Sequence, residues 1–366
     1  MDKVIIFGMG KMLKWHYQEI KEKVEIAAVT DNNLELQNTF PSESYVNPEK
    51  INERQYDYIL ICCSATDEIK NQLYGYGIEK NKVKSLKEFL SEQYHLSRYK
   101  VEEDRGTSIS DLLDYPAFCL AAAQDQSIFK QFRRCGIYTG VVEGLTCEEG
   151  QAQLDVIKER SSVVQYSAED WKMFQKNDDY GAPIMCDYSV QKDSRIKLSA
   201  TTMRYIKILQ EIVCLFKDKD ISVVAEIGVG FGGQARLIAE YLSIRQYFLI
   251  DIPEAIKLAE TFLGQFGDTD RFVLCDGTKP LEKRNYDLVI SNYAFSELTK
   301  EVQDIYLNSV ILNSRSGYMI WNDLGKESFG AYSVEELLNI IPDAKVMEEV
   351  PLTAANNKLI VWGISC

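Results

Sequence analysis

Apolar residues in this chain come in short unbroken runs, separated by polar stretches with helical spacing, and the rhythm occurs twice. Near the start, KVIIF (3–7), VEIAAVTD (24–31) and YDYILICC (56–63) read as buried strands. KMLKWHYQEIKEK (11–23) and TDEIKNQLYGYG (66–77) read as amphipathic helices between and after them. Near-continuous apolar strands alternating with helices predict a parallel sheet covered on both faces.

The second run opens with a helix, TTMRYIKILQEIVCLF (201–216), whose apolar residues recur at i, i+3 and i+4. Strands are expected at 221–227, 246–251, 271–276, 286–292, 317–323, 344–350 and 358–365, with helices at 232–243, 253–265, 298–312 and 333–340. The last two strands are joined only by PLTAANN (351–357), too short for a crossover helix, so they should pair antiparallel. Between the two runs, 108–134 and 147–160 look helical, while 177–201 is polar and turn-rich with no clear period. The expected organisation is a small α/β domain over 1–95, a helical linker or lid over 96–200, and a larger α/β domain over 201–366 with a seven-stranded sheet.

A length of 366 residues suits two or three domains. With 46% apolar and 26% charged residues the composition is that of a soluble globular protein. No apolar stretch approaches the ~20 residues of a membrane span, and the N-terminus enters a strand pattern without a signal-peptide core. A cytoplasmic protein is expected. The nine cysteines are scattered, with Cys62 and Cys63 adjacent and no CxxC pair, which predicts reduced thiols rather than a zinc cluster or disulfide framework. A net charge of −14 disfavours nucleic acid as a partner but leaves room for a small anion held by backbone amides. The oligomeric state is open, a homo-oligomer included.

Each α/β run carries a glycine-rich turn after its first strand. The second is AEIGVGFGGQAR (225–236): Glu226 ends the strand, and Gly228, Gly230 and Gly232 let a ligand approach the backbone where the next helix begins. Such a loop is weak by itself. Its weight rises with acids at successive strand ends. Asp251 can accept two ribose hydroxyls; Asp276, followed by Gly277, can meet an adenine amino group; Ser291 and Asn292 end the fourth strand beside the glycines. Any one such acid serves as a turn or cap residue just as well.

The combination over 220–366 resembles the class I S-adenosylmethionine-dependent methyltransferases. More narrowly, TTMRYI (201–206), AEIGVGFGGQAR (225–236), LVISNYAFSEL (288–298), GYMIWND (317–323) and PLTAANNKLIVWG (351–363), with FKQFRR (129–134) upstream, resemble a sugar O-methyltransferase family found in bacterial polysaccharide gene sets. The resemblance implies that Glu226 meets the cofactor's methionine end and that Gly228, Gly230 and Gly232 leave room for it. It further implies that Asp251 holds the ribose, Asp276 with Gly277 the adenine, and Ser291 with Asn292 the floor near the sulfonium. The implied acceptor is a hydroxyl of a sugar or nucleotide-sugar.

A sugar hydroxyl benefits from a general base. The only histidines are His16 and His95, so a carboxylate is the economical choice, and Asp323 and Glu297 are the candidates. Tyr293 and Asn322 are placed to orient the hydroxyl, and Arg204 and Tyr205 to reach the acceptor from the preceding helix. A divalent metal on a diol is compatible with these acids, but no ligand spacing requires one.

The first turn is Gly8-Met-Gly10, followed by Lys11, with Asp31 where a ribose-binding acid would stand, but the third glycine of a dinucleotide fingerprint is missing. The segment resembles small Rossmann-like domains attached to sugar-modifying bacterial enzymes. Three uses stay open: a nucleotide or nucleotide-sugar site, NAD(P)-dependent redox chemistry, and a docking or oligomerisation module. Beside a methyltransferase, the alternatives for the whole chain are an NAD(P)-dependent oxidoreductase and a non-catalytic sugar-nucleotide-binding scaffold.

Overall fold

The computed structural model describes residues 1–101, 106–108, 114–191, 194–267 and 269–364. The chain divides into two compact units, one of residues 1–99 with 135–137, the other of residues 100–134 with 138–366.

The first unit is built on β1 (Lys3–Phe7), β2 (Glu25–Thr30), β3 (Tyr58–Ile61) and β4 (Val83–Ser85), all parallel and ordered β2-β1-β3-β4. Ile5, Phe7, Ala28, Ile59 and Ile61 form its core with Leu73 of the helix Thr66–Gly75. β4 and the helix Leu86–Gln93 were not expected from periodicity. Their local signal is SLKE (85–88), in which Ser85 and Glu88 form a reciprocal capping box at the helix start.

In the second unit the region expected to be helical also contains an antiparallel hairpin, β5 (Met185–Gln191) and β6 (Ser194–Ser199). The segment 177–201 was read as irregular, yet its strands alternate: Cys186, Tyr188 and Val190 of β5 and Ile196 and Leu198 of β6 are buried between mostly polar neighbours, a period of two confined to runs of five or fewer residues. The run 108–134 is not one helix. Tyr115–Gln124 ends at Asp125, whose carboxylate caps a new turn by accepting from Ser127 N–H at 2.8 Å; residues 109–113 of that run lie outside the described residues. The expectation of reduced thiols fails at one pair. Cys147, at the start of the helix Cys147–Glu159, is disulfide-bonded to Cys186 of β5, with Cα atoms 5.6 Å apart. Their separation of 39 residues gave no motif to read, since the fold and not the spacing brings them together.

The large sheet comprises β7 (Val223–Ile227), β8 (Gln246–Asp251), β9 (Phe272–Asp276), β10 (Leu288–Asn292), β11 (Gly317–Trp321), β12 (Lys345–Glu348) and β13 (Lys358–Trp362). Its order is β12-β13-β11-β10-β7-β8-β9. β7 to β11 run parallel, and β13 is antiparallel to both neighbours, β11 and β12. The order reverses between β7 and β10, which puts a crevice outside their carboxyl ends, where ligands of open α/β sheets bind. Beneath it Ala225, Ile227, Val289, Met319, Trp321 and Ile360 form a core closed by Tyr306 and Leu307 of the helix Lys300–Ser309. No helix among the described residues is long and apolar enough to cross a membrane.

Candidate functional site

A cavity of about 730 Å³ lies at this reversal, within the second unit, and its size suits a small molecule. Its walls come from the ends of four parallel strands: Glu226 to Gly230 after β7, Asp251 and Ile252 after β8, Gly277 to Pro280 after β9, and Asn292 to Ala294 with Glu297 after β10. Arg204 and Tyr205, from the helix Ala200–Leu215, complete one side with Val141 and Val142.

The glycine turn is shaped by close packing. Gly228 has φ +80°, and a Cβ built there would overlap the methyl group of Ala294. The turn after β7 and the turn after β10 thus meet with no room for a side chain between them, and together form a continuous floor. Gly230 N–H donates to Asp251 Oδ2 at 3.1 Å, and Ile252 N–H to Asp251 Oδ1 at 2.8 Å. These amides fix the carboxylate at the mouth of the turn. Burial outweighs them and pushes the Asp251 carboxyl up to about 6.

Glu226 is 3% exposed and accepts from Tyr247 O–H at 2.6 Å and Gln234 Nε2 at 3.0 Å. Burial raises its carboxyl to about 8, against the lowering effect of those hydrogen bonds. Gln234 in turn accepts from Asn292 Nδ2 at 2.7 Å, which leaves Asn292 Oδ1 buried without a partner. An unmet buried acceptor calls for a donor. A zwitterionic amino-acid moiety carries one in its ammonium group. A turn with glycine at 228 and 230, a fixed carboxylate for hydroxyl donors and an orphaned acceptor on Asn292 fit the donor and acceptor set of S-adenosylmethionine.

Glu297 also lines the cavity. Burial raises its pKa above the ordinary carboxylate value, opposed by the hydrogen bond from Asn322 Nδ2 to Glu297 Oε1 at 2.7 Å. Asn322 does not itself line the cavity; its carbonyl oxygen accepts from Ser296 Oγ at 3.1 Å and Leu324 N–H at 3.2 Å, so the amide is held rigidly behind Glu297. Tyr293 lines the wall, its hydroxyl hydrogen-bonded to Glu349 and, at 3.0 Å, to Thr353.

Besides Asn322, four expected site residues stand apart from the cavity lining. Gly232, at φ +80°, faces the helix Pro253–Leu263 instead, where a Cβ would lie 3.2 Å from Leu263 and 3.4 Å from Ala259. Asp323 accepts from Trp321 Nε1 at 3.3 Å at the start of the helix Leu324–Phe329. Ser291 is fully buried, its hydroxyl donating to Ile227 O and accepting from Phe295 N–H, so it ties β7 to the turn after β10. Asp276 holds its own turn through Thr278 N–H and Oγ1 and pairs with Lys279 at 2.8 Å; these contacts keep its carboxyl below the usual value despite partial burial. Its neighbour Gly277 does line the cavity.

Periodicity also gave no signal for the 138–143 wall. Tyr138 Oη and Val142 each stand 3.5 Å from the position a Gly230 Cβ would take. The wall is anchored by Arg133, 1% exposed, which pairs with Glu143 and Asp178 and donates to Asn177 O and Ser199 Oγ, both at 2.9 Å. Ser199 also caps the helix carrying Arg204, accepting from Thr202 N–H at 3.1 Å.

In the first unit, Asp31 repeats the Asp251 arrangement: Met9 N–H donates to its Oδ2 at 2.6 Å and Asn33 N–H to its Oδ1 at 2.8 Å. Gly8, at φ +108°, has no space for a side chain, since a Cβ there would lie 2.8 Å from Cys62 O of the neighbouring turn. Close packing against that turn is thus a sufficient reason for this glycine. Gly10 caps the helix Lys11–Lys23; the side chain of Lys11 lies outside the described residues. No group of three or more His, Cys, Asp or Glu among the described residues is arranged to hold a metal ion.

Residues 225–318 match the family described as "Methyltransferase domain", and residues 1–84 match that described as "C2185-like, N-terminal". Among curated proteins none matches significantly. Similar solved structures include the methyltransferase domain of bacterial CtHen1, at 11% identity and TM-score 0.35 over 43% of this chain and 97% of that one. A second is the protein PH1948 of Pyrococcus horikoshii, at 18% identity and TM-score 0.31 over 44% and 83%. A third is M. capricolum TrmK in complex with S-adenosylhomocysteine, at 15% identity and TM-score 0.30 over 42% and 66%. At such values these likenesses carry no argument about the acceptor. Over residues 225–318, then, the chain is similar to a methyltransferase-domain family.

Proposed function

We propose that the chain transfers a methyl group from S-adenosylmethionine to a hydroxyl of a sugar or nucleotide-sugar, as in the assembly of bacterial surface polysaccharides. The observation that supports it best is the convergence of the glycine turn, Asp251, Asn292 and Glu297 on one cavity at the sheet reversal. When bound, the cofactor supplies an electrophilic methyl group, so the protein's part is alignment and proton removal.

In this reading Asp251 accepts the ribose hydroxyls, Gly228 and Gly230 leave room for the adenosyl group, and Gly232 serves the packing of the turn against Leu263. Gly277 lies against the adenine, with Asp276 shaping that turn. Glu226 and Asn292 receive the ammonium end. Glu297 is the general base: it lines the cavity, and its raised pKa gives a carboxylate of more than ordinary basicity. Asn322 is its positioning residue. Tyr293, Tyr205 and Arg204 form the acceptor side, and the reading uses no metal. The sugar assignment rests on the motifs in 201–206, 288–298 and 351–363.

Calorimetry with S-adenosylhomocysteine, followed by mass spectrometry of cell extract incubated with the chain and isotopically labelled methyl donor, tests this. Binding together with a labelled sugar product is expected; no binding at millimolar ligand would refute it. For the first unit, a Rossmann-like nucleotide-sugar site at the Gly8–Gly10 turn is the companion proposal. It is checked by titration with a uridine diphosphate sugar and, for the redox alternative, with NADH.

A further inference from the structure

Among the described residues, three arginines in the second unit have largely buried guanidinium groups, and two of them have both Nε and a terminal nitrogen hydrogen-bonded. Arg133 has two carboxylates and two further acceptors, and Arg236 donates to Asn177 Oδ1 at 3.0 Å and Met173 O at 2.7 Å. Arg204 is different. It makes one hydrogen bond, from a terminal nitrogen to Val142 O at 3.2 Å, and its Nε is buried with no partner. Among the described residues no carboxylate stands within ion-pair distance of it. Its guanidinium lies 5.8 Å from the ring centres of both Tyr205 and Tyr293, and it lines the cavity.

A guanidinium offers five donors in a planar fork. One terminal nitrogen is used by Val142 O and Nε is unmet, so with the fork on the cavity wall its remaining terminal donors can meet acceptors that a ligand brings. The two flanking rings restrict the plane of the fork, so its geometry is set before anything binds. The other acids on the cavity wall, Glu226, Asp251 and Glu297, come from the strand ends and leave Arg204 as the cation on the β10 side; Lys279, at the β9 side, is already paired with Asp276. Tyr293, under the Arg204 fork, is bonded through its hydroxyl to Glu349 and Thr353 beside the last hairpin. The fork therefore stands beside the turn after β10, which also carries Glu297.

We infer that Arg204 receives an oxyanion of the methyl acceptor, so that the substrate class is an anionic sugar derivative bearing a phosphate or a carboxylate. The inference rests on the methyltransferase reading above and deepens it. A nucleotide-sugar would present its diphosphate there, and a uronic acid its carboxylate; both offer paired oxygens to the fork.

The full chain saturated with S-adenosylhomocysteine is titrated calorimetrically with inorganic pyrophosphate and, separately, with D-glucuronate, for the unaltered protein, Arg204→Met and Arg204→Lys. At least one anion is expected to bind the unaltered chain and to lose about tenfold or more in Arg204→Met, as for charge-assisted hydrogen bonds. Arg204→Lys, which keeps the charge but not the fork, should fall between. Pyrophosphate alone binding assigns a phosphate-bearing acceptor, and glucuronate alone a carboxylate. S-adenosylhomocysteine affinity should stay within about twofold in Arg204→Met, which also reports that the variant is folded.

Binding of neither anion, or binding indifferent to residue 204, overturns the inference. So does a loss of S-adenosylhomocysteine affinity in Arg204→Met with 5′-methylthioadenosine unaffected, since the fork would then serve the cofactor's own carboxylate. Failure of the unaltered chain to bind S-adenosylhomocysteine at all would instead sink the methyltransferase reading and this inference with it.

Discussion

Replacing Gly228 by alanine tests whether the cavity floor is set by backbone contact between two turns. The residue has φ +80°, where an L side chain costs roughly 1–2 kcal/mol. The added methyl would also overlap that of Ala294, whose Cα stands 3.5 Å away. Overpacking of this kind costs roughly 1–3 kcal/mol. Gly228 N–H donates to Ile250 O at 2.9 Å, which resists the shift that would relieve the overlap. Gly228→Ala should therefore lose about 2–5 kcal/mol of stability. The double variant with Ala294→Gly should recover the overlap part, about 1–3 kcal/mol, and leave the φ cost. Urea denaturation followed by tryptophan fluorescence suits the measurement, because Trp171, Trp321 and Trp362 are buried in the second unit while Trp15 is exposed in the first. The red shift then reports the unit that carries the mutation, a distinction that matters where two units need not unfold together. A loss under about 1 kcal/mol, or a double variant no more stable than Gly228→Ala alone, would refute the reasoning.

Asp251→Asn should weaken S-adenosylhomocysteine binding by about 1–3 kcal/mol in calorimetry. In the unaltered chain affinity should decline as pH falls below about 6, where this carboxyl takes up a proton, and the variant should lose that dependence. Glu297→Gln should abolish most turnover while keeping cofactor affinity, and Asp323→Asn should leave turnover nearly intact; the reverse outcome in a labelled-methyl assay would return the base to Asp323. Glu226 and Asp251 have folded-state values raised to about 8 and about 6, so the folded state binds more protons than the unfolded one in between. The stability of the ligand-free chain should accordingly fall as pH rises from about 4 to about 8, and Glu226→Gln should flatten the upper part of that decline in thermal melts. Breaking the Cys147–Cys186 bond with Cys147→Ser should cost up to about 4 kcal/mol by chain entropy for a loop of this length, read as a shift in the urea midpoint.

The large sheet was legible because β7, β8, β10, β11 and β13 are mostly apolar runs buried on both faces, and because 351–357 is too short for a crossover. The acids and glycines at strand ends were legible for the same reason: once strands are placed, their ends are known. Which of those ends face the cavity was not. Asp251 and Asp276 both end strands, yet Asp276 is turned onto Thr278 and Lys279 by a local hydrogen-bonding competition that spacing does not encode. Asp323 and Glu297 were ranked together, and only side-chain direction separates them. The Arg133 cluster joins residues 133, 143, 178 and 199, drawn from loops, helix ends and a hairpin, so no period announces it. FKQFRR carried the arginine in plain view without showing what it anchors.

The position of β13 has a kinetic consequence. β12 precedes it in the chain but pairs only with β13, while β13 pairs on its other side with β11. β12 therefore reaches the sheet only through β13, whether β13 has first zipped onto β11 or the two dock together as a hairpin. Opening is ordered where assembly is not: amides in β12 can exchange without disturbing β13, whereas release of β13 from β11 detaches both.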